Sequence, residues 1–139
     1  MNKQRILVVE DEEMVADIIN RRLTARNYEV VYIADGELAW DLLSRETERF
    51  DCILLDRQLP GIDGMELLRL IKASPTLKHI PVVMETGLKD AASIREGMAE
   101  GAYYYLTKPL RQDLLVAIVE AAIGDHHERI AMRETRQQA

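Results

Sequence analysis

The chain has one cysteine, one tryptophan and one phenylalanine in 139 residues, and only four prolines. No apolar run approaches the roughly 20 residues needed to cross a bilayer. The lone Cys52 excludes an intramolecular disulfide and a cysteine-rich zinc site, which suits a reducing compartment. It sits inside an apolar strand pattern and reads as a buried core thiol. Basic charge is not in excess: the net charge of -6 argues against direct contact with nucleic acid. The apolar segment after Lys3 and Arg5 stops at Val9 and turns acidic, which is not a secretory leader pattern. A cytoplasmic protein without membrane attachment is expected. His79, His126 and His127 have no metal-site spacing and read as surface residues. No Ser/His/Asp set, glycine-rich nucleotide loop, internal repeat or low-complexity tract is present.

What remains is an ordinary globular composition, with 47% apolar and 30% charged residues. A chain of this length forms one domain and buries about 70% of its unfolded surface. Short aliphatic runs recur at Ile6 to Val9, Val30 to Ile33, Cys52 to Leu55, Val82 to Met84 and Tyr103 to Leu106. They are continuous rather than alternating, as in strands covered on both faces. Between them apolar residues repeat at helical spacing: Val15, Ile18, Ile19 and Leu23; then Leu38, Ala39, Leu42 and Leu43 after the turn Asp35-Gly36. Leu67, Leu68 and Ile71 mark a third helix, Ile94 and Met98 a fourth that stops near Gly101, and Leu114, Leu115, Ile118, Ala121 and Ala122 a fifth. Trp40 reads as partial helix packing. Strict alternation with short connections predicts an α/β fold: a doubly wound five-stranded parallel sheet with helices on both faces.

In such a sheet function collects at the carboxyl ends of the strands. Glu10, Asp11, Asp56, Thr86 and Lys108 all fall there. Acids crowded at one edge repel one another unless a cation or phosphoryl group completes the design, and Lys108 supplies the matching positive charge.

The ordered set Ile6-Leu7-Val8-Val9-Glu10-Asp11-Glu12, Asp35-Gly36, Leu55-Asp56, Leu59-Pro60-Gly61-Ile62-Asp63-Gly64, Pro81-Val82-Val83-Met84, Thr86-Gly87, Gly101-Ala102 and Tyr105-Leu106-Thr107-Lys108-Pro109 resembles the receiver domain of two-component response regulators. The resemblance runs from about Arg5 to Ile123 and implies a flavodoxin-like, receiver-type sheet. It implies that Asp56 accepts a phosphoryl group from a sensor histidine kinase or a histidine phosphotransfer protein. Asp11 and Asp56 would hold Mg²⁺, with Glu10 acting through water and Gln58 through its backbone carbonyl. Lys108 would pair with a phosphoryl oxygen, and the Thr86 hydroxyl would bond the group once present. Tyr105 would then turn inward and reshape the surface of the fourth helix, fifth strand and fifth helix for an output partner. A cis peptide at Lys108-Pro109 is a further implication, and the family admits a homodimer.

Several positions depart from the pattern. Glu85 stands where an apolar residue is usual, with Arg57 or a tyrosine as its candidate partner. Tyr103 and Tyr104 replace acids that help build one symmetric receiver dimer, and favour an aromatic contact with a partner instead. Three other functions fit the fold, and one of them, a flavin-binding module, is opposed by the acids crowding where its phosphate would sit. An aspartyl-phosphate phosphatase would need a second acid two residues after Asp56, where Gln58 cannot transfer a proton. A docking module that is never phosphorylated would not need the acid, threonine and lysine set. Residues 1–124 read as the receiver domain and 125–139 as a polar, helical extension. Val116, Val119, Ile123 and Ile130 approximate a heptad seam through which the extension would dimerise.

Overall fold

The computed structural model describes residues 3–45, 49–87 and 91–138. Strands and helices alternate: β1 (Arg5–Val9), α1 (Glu13–Ala25), β2 (Glu29–Ile33), α2 (Gly36–Ser44), β3 (Cys52–Asp56), α3 (Gly64–Ala73), β4 (Val82–Thr86), α4 (Ala91–Ala99), β5 (Tyr104–Thr107) and α5 (Gln112–Gln138). All strand pairs are parallel in the order β2-β1-β3-β4-β5. The order reverses between β1 and β3, where a doubly wound sheet opens a crevice at its carboxyl edge.

The two-residue period of each strand sorts its side chains between two cores. Leu7, Val9, Ile53, Leu55, Val82, Met84 and Tyr105 face one layer with Ala39, Leu67, Leu68 and Ile71. Ile6, Val8, Cys52, Leu54, Val83 and Leu106 face the other with Ile19, Leu23, Leu115 and Val119. Burial on both sides is why these strands are written as unbroken aliphatic runs.

Helix starts follow local chemistry. Asp35 caps α2, its carboxylate accepting from Glu37 N at 2.7 Å and Leu38 N at 3.1 Å. Gly64 opens α3 against the end of β3, where a Cβ would lie 2.2 Å from Asp56 O, so only glycine allows the close approach. α4 is the least anchored helix: Gly97 is its single buried residue, with Ile94 partly covered.

α5 runs 27 residues without interruption through the expected boundary at 124/125. The expected heptad seam is occupied within the domain, since Val116, Val119 and Ile123 are buried against the sheet. His126 continues that stripe and is buried, contrary to the surface position expected for it. Next to it His127 Nε2 lies 2.8 Å from Asp51 Oδ1, just before β3, and the Tyr103 hydroxyl donates to Asp125. The first residues of the extension, Asp125 to His127, therefore pack back on the domain's own base.

Candidate functional site

Register builds the site. Val9 pairs with Leu55, which brings Glu10, one residue on, beside Asp56; Asp56 pairs directly with Glu85. Three buried carboxyl side chains thus lie in a row across β1, β3 and β4: Glu10 and Glu85 are 0% exposed and Asp56 3%. Lys108 follows β5 and extends its ammonium over the row, 3.0 Å from Glu10, 2.9 Å from Glu12 and 3.0 Å from Asp56. The Lys108-Pro109 peptide is cis. Gln58 N donates to Asp56 Oδ1 at 3.0 Å, and Glu12 N to Glu10 Oε2 at 3.1 Å.

Lys108 is the one cation over this row among the described residues, so burial of the acids favours their neutral forms. Glu85 has no hydrogen-bond donor to either oxygen among the described residues. Burial first, and the adjacent Glu10 second, push its carboxyl well above the usual range. Two neighbouring acids repel when both are charged, and the upward shift at Glu85 favours its neutral form beside Glu10. Glu10 is held below the usual range: burial opposes its charge, but hydrogen bonds from Glu85, Asp56, Glu12 N and Lys108 outweigh it. Asp56 is pushed up to about 7, by burial and then by Glu10, against the pull of Gln58 N and Lys108. Burial lowers Lys108, but its three carboxylate partners carry it above its ordinary value. The partner foreseen for Glu85, Arg57 or a tyrosine, is thus replaced by a second carboxyl group.

Glu10, Asp11, Glu12 and Asp56 each offer an oxygen within 4.8 Å of the others. Hard oxygen donors at this spacing suit a divalent cation such as Mg²⁺ or Mn²⁺. The structure adds Glu12 to the expected donors. Its signal in the sequence was its place in the acidic run, obscured because the same run also begins a helix. Thr86 is fully buried at the end of β4, in register with Thr107.

Tyr105 is only 8% exposed and packs on α4. This is the inward position that the sequence reading assigned to the phosphorylated state. Gly97 leaves room for the ring: a Cβ there would lie 2.7 Å from it.

Fold and site together define a doubly wound α/β domain that gathers hard oxygen donors and one lysine at its switch point. The chain belongs to the response regulator receiver domain family, whose model matches residues 6–120. It is 40% identical to the response regulator PleD of Caulobacter vibrioides over 84% of this chain, but spans only 25% of that protein. The structure of a phosphorylated cyanobacterial phytochrome response regulator, RcpA, matches at TM-score 0.76 and 33% identity, covering 86% of this chain and 91% of that one. The Mn²⁺-bound response regulator Rcp1 matches at TM-score 0.73 and 30% identity, covering 87% and 90%. No helix among the described residues is long and apolar enough to cross a membrane.

Proposed function

We propose that this chain is a phosphorylation-dependent signalling switch whose phosphoacceptor is Asp56. The observation that carries the reading is a buried strand-end carboxylate with a lysine ammonium 3.0 Å away and three further acids within 4.8 Å. An Asp56 oxygen attacks phosphorus, the P–N bond to a phosphohistidine breaks, and the imidazole leaves as the histidine of the donor. That donor is a sensor histidine kinase or a histidine phosphotransfer protein. Lys108 neutralises a phosphoryl oxygen, and the Thr86 hydroxyl donates to the group once it is attached. Asp11 and Asp56 would hold Mg²⁺, with Glu10 through water and the Gln58 carbonyl as a further donor. Bound there, the ion would offset the charge of the phosphoryl oxygens. The protein contributes alignment and electrostatics to its own phosphorylation and dephosphorylation, and turns over no separate metabolite.

The output is a change at the α4-β5-α5 surface, with the Thr86 hydroxyl as its link to the phosphoryl group and Tyr105 already inward beneath α4, read by a protein partner or a second copy. The PleD and RcpA likenesses support this reading, as does Gln58 two residues after Asp56, which cannot act as a phosphatase's general acid. Intact mass after incubation with Mg²⁺ and acetyl phosphate tests it. A phosphoryl-sized gain that vanishes in Asp56→Ala or in chelator supports the switch. No gain, together with unchanged tyrosine NMR signals in beryllofluoride, would leave the unphosphorylated docking module standing.

A further inference from the structure

Because Tyr105 is already inward, some other contact must hold the resting arrangement of α4. Arg57, the residue after Asp56, has a side chain only 14% exposed. Its Nη1 donates to Ser93 O at 3.2 Å and its Nη2 to Glu96 Oε1 at 3.1 Å. Glu96 is shared with Arg69 of α3 at 3.5 Å, and Arg69 also reaches Glu100 at 3.3 Å. One guanidinium thus grips the α4 backbone and a side chain one turn on. The helix it grips buries little beyond a glycine. Burial opposes the charge on Arg57, but the Tyr105 oxygen and Glu96 outweigh it and raise its pKa. The Tyr105 hydroxyl stabilises the cation while completing no hydrogen bond of its own among the described residues.

We propose that Arg57 is a positioning residue of the switch, holding α4 in its resting place through Ser93 O and Glu96 and releasing it when Asp56 is phosphorylated. The inference rests on the assignment of Asp56 as phosphoacceptor. Phosphorylation replaces the carboxylate's single charge with a phosphoryl group of about 1.5 to 2 negative charges one residue away, in competition with Glu96 for the guanidinium. It also consumes one oxygen of the carboxylate whose Oδ1 now accepts from Gln58 N, on the same segment. Both changes act on the segment that carries Arg57. A helix held largely by polar contacts, of which the Arg57 fork is the one tied to β3, then loosens, whereas one held by an apolar stripe would stay.

Hydrogen exchange across residues 91–99 of the whole chain tests this, with and without Mg²⁺ and beryllofluoride, in wild type, Arg57→Gln and Arg57→Lys. Intact mass with acetyl phosphate is followed in parallel. In wild type, beryllofluoride is expected to speed exchange in α4 roughly tenfold, the scale of one lost charge-assisted hydrogen bond. Arg57→Gln should show that faster exchange already without beryllofluoride and gain less than about twofold on adding it. Arg57→Lys should fall between, because an ammonium keeps the Glu96 pair but not the two-acceptor fork. Unchanged protection of β3 and β4 would show that both variants fold. If wild type gains no phosphoryl mass, the assignment of Asp56 fails and this inference with it. If mass is gained normally but α4 in Arg57→Gln exchanges and responds as in wild type, Arg57 alone is overturned.

Discussion

Three carboxyl groups buried side by side would be unfavourable if all were charged, and their protons set how the resting site behaves with pH. Asp56 has a folded pKa of about 7 against an ordinary 3.8, so folding favours its protonated form. Its contribution to stability is therefore complete below about pH 4 and is lost as pH rises through about 7. Without divalent cation, Asp56→Asn is expected to melt several degrees above wild type near pH 8, the gap closing near pH 4. An unchanged gap across that range in a thermal titration would show that Asp56 is not the titrating group. Glu85 acts in the same direction, since its carboxyl is also raised. Glu85→Gln keeps a donor to Glu10 without a titrating proton. It should retain the fold and flatten the decline of Tm at alkaline pH, whereas a fold lost in circular dichroism would refute the neutral-acid reading. Of this row, Asp56 and Glu10 could be read from their places at strand ends. Glu85 could be recognised only as an anomaly, because its partner depends on strand order.

At the scale of elements, α2 and α4 differ in what holds them. The Asp35 cap satisfies two N–H groups, and Asp35→Ala should cost about 0.5–2 kcal/mol of stability by chemical denaturation. A change under about 0.3 kcal/mol would mean that water replaces the cap. Gly97 tests the Tyr105 contact through a change of sign. Alanine in a helix gains about 1 kcal/mol over glycine, while overpacking costs about 1–3 kcal/mol. Gly97→Ala should thus lose up to about 2 kcal/mol in wild type, yet gain about 1 kcal/mol in a Tyr105→Ala background. The same sign in both backgrounds would show that the ring does not bear on Gly97. The helices themselves were legible because each carries periodic apolar residues. The inward Tyr105 was not, because it depends on a gap left by a glycine eight residues earlier on another element.

Across the whole molecule, α5 decides how the chain ends its packing. At about 1.5 Å per residue its 27 residues extend about 40 Å, past the sheet that its first turns cover. The stripe Val116, Val119, Ile123 and His126 faces the chain's own core, leaving Ile130 and Met132 as the large apolar residues exposed beyond it. Removing residues 125–139 deletes His126 and the polar contacts to Tyr103 and Asp51. It should lower stability by about 1–3 kcal/mol, two hydrogen bonds and one partly apolar side chain. Sedimentation should be unchanged apart from mass. A shift from dimer to monomer would restore the intermolecular seam that the burial of Val116, Val119 and Ile123 argues against.

The sequence by itself determined the alternation of strands and helices, the two-sided burial of the sheet, and the acids, threonine and lysine that meet at its carboxyl edge. Those features are written in local periodicity and in residues that end strands, so a linear reading reaches them. Only the tertiary structure decided that Glu85 is buried in one row with Asp56 and Glu10, that Arg57 grips α4, that Tyr105 lies inward over Gly97, and that His126 is buried. Each of these joins residues from separate elements, and register, sheet order and the space left by a missing side chain govern it. Spacing along one chain does not encode those distances.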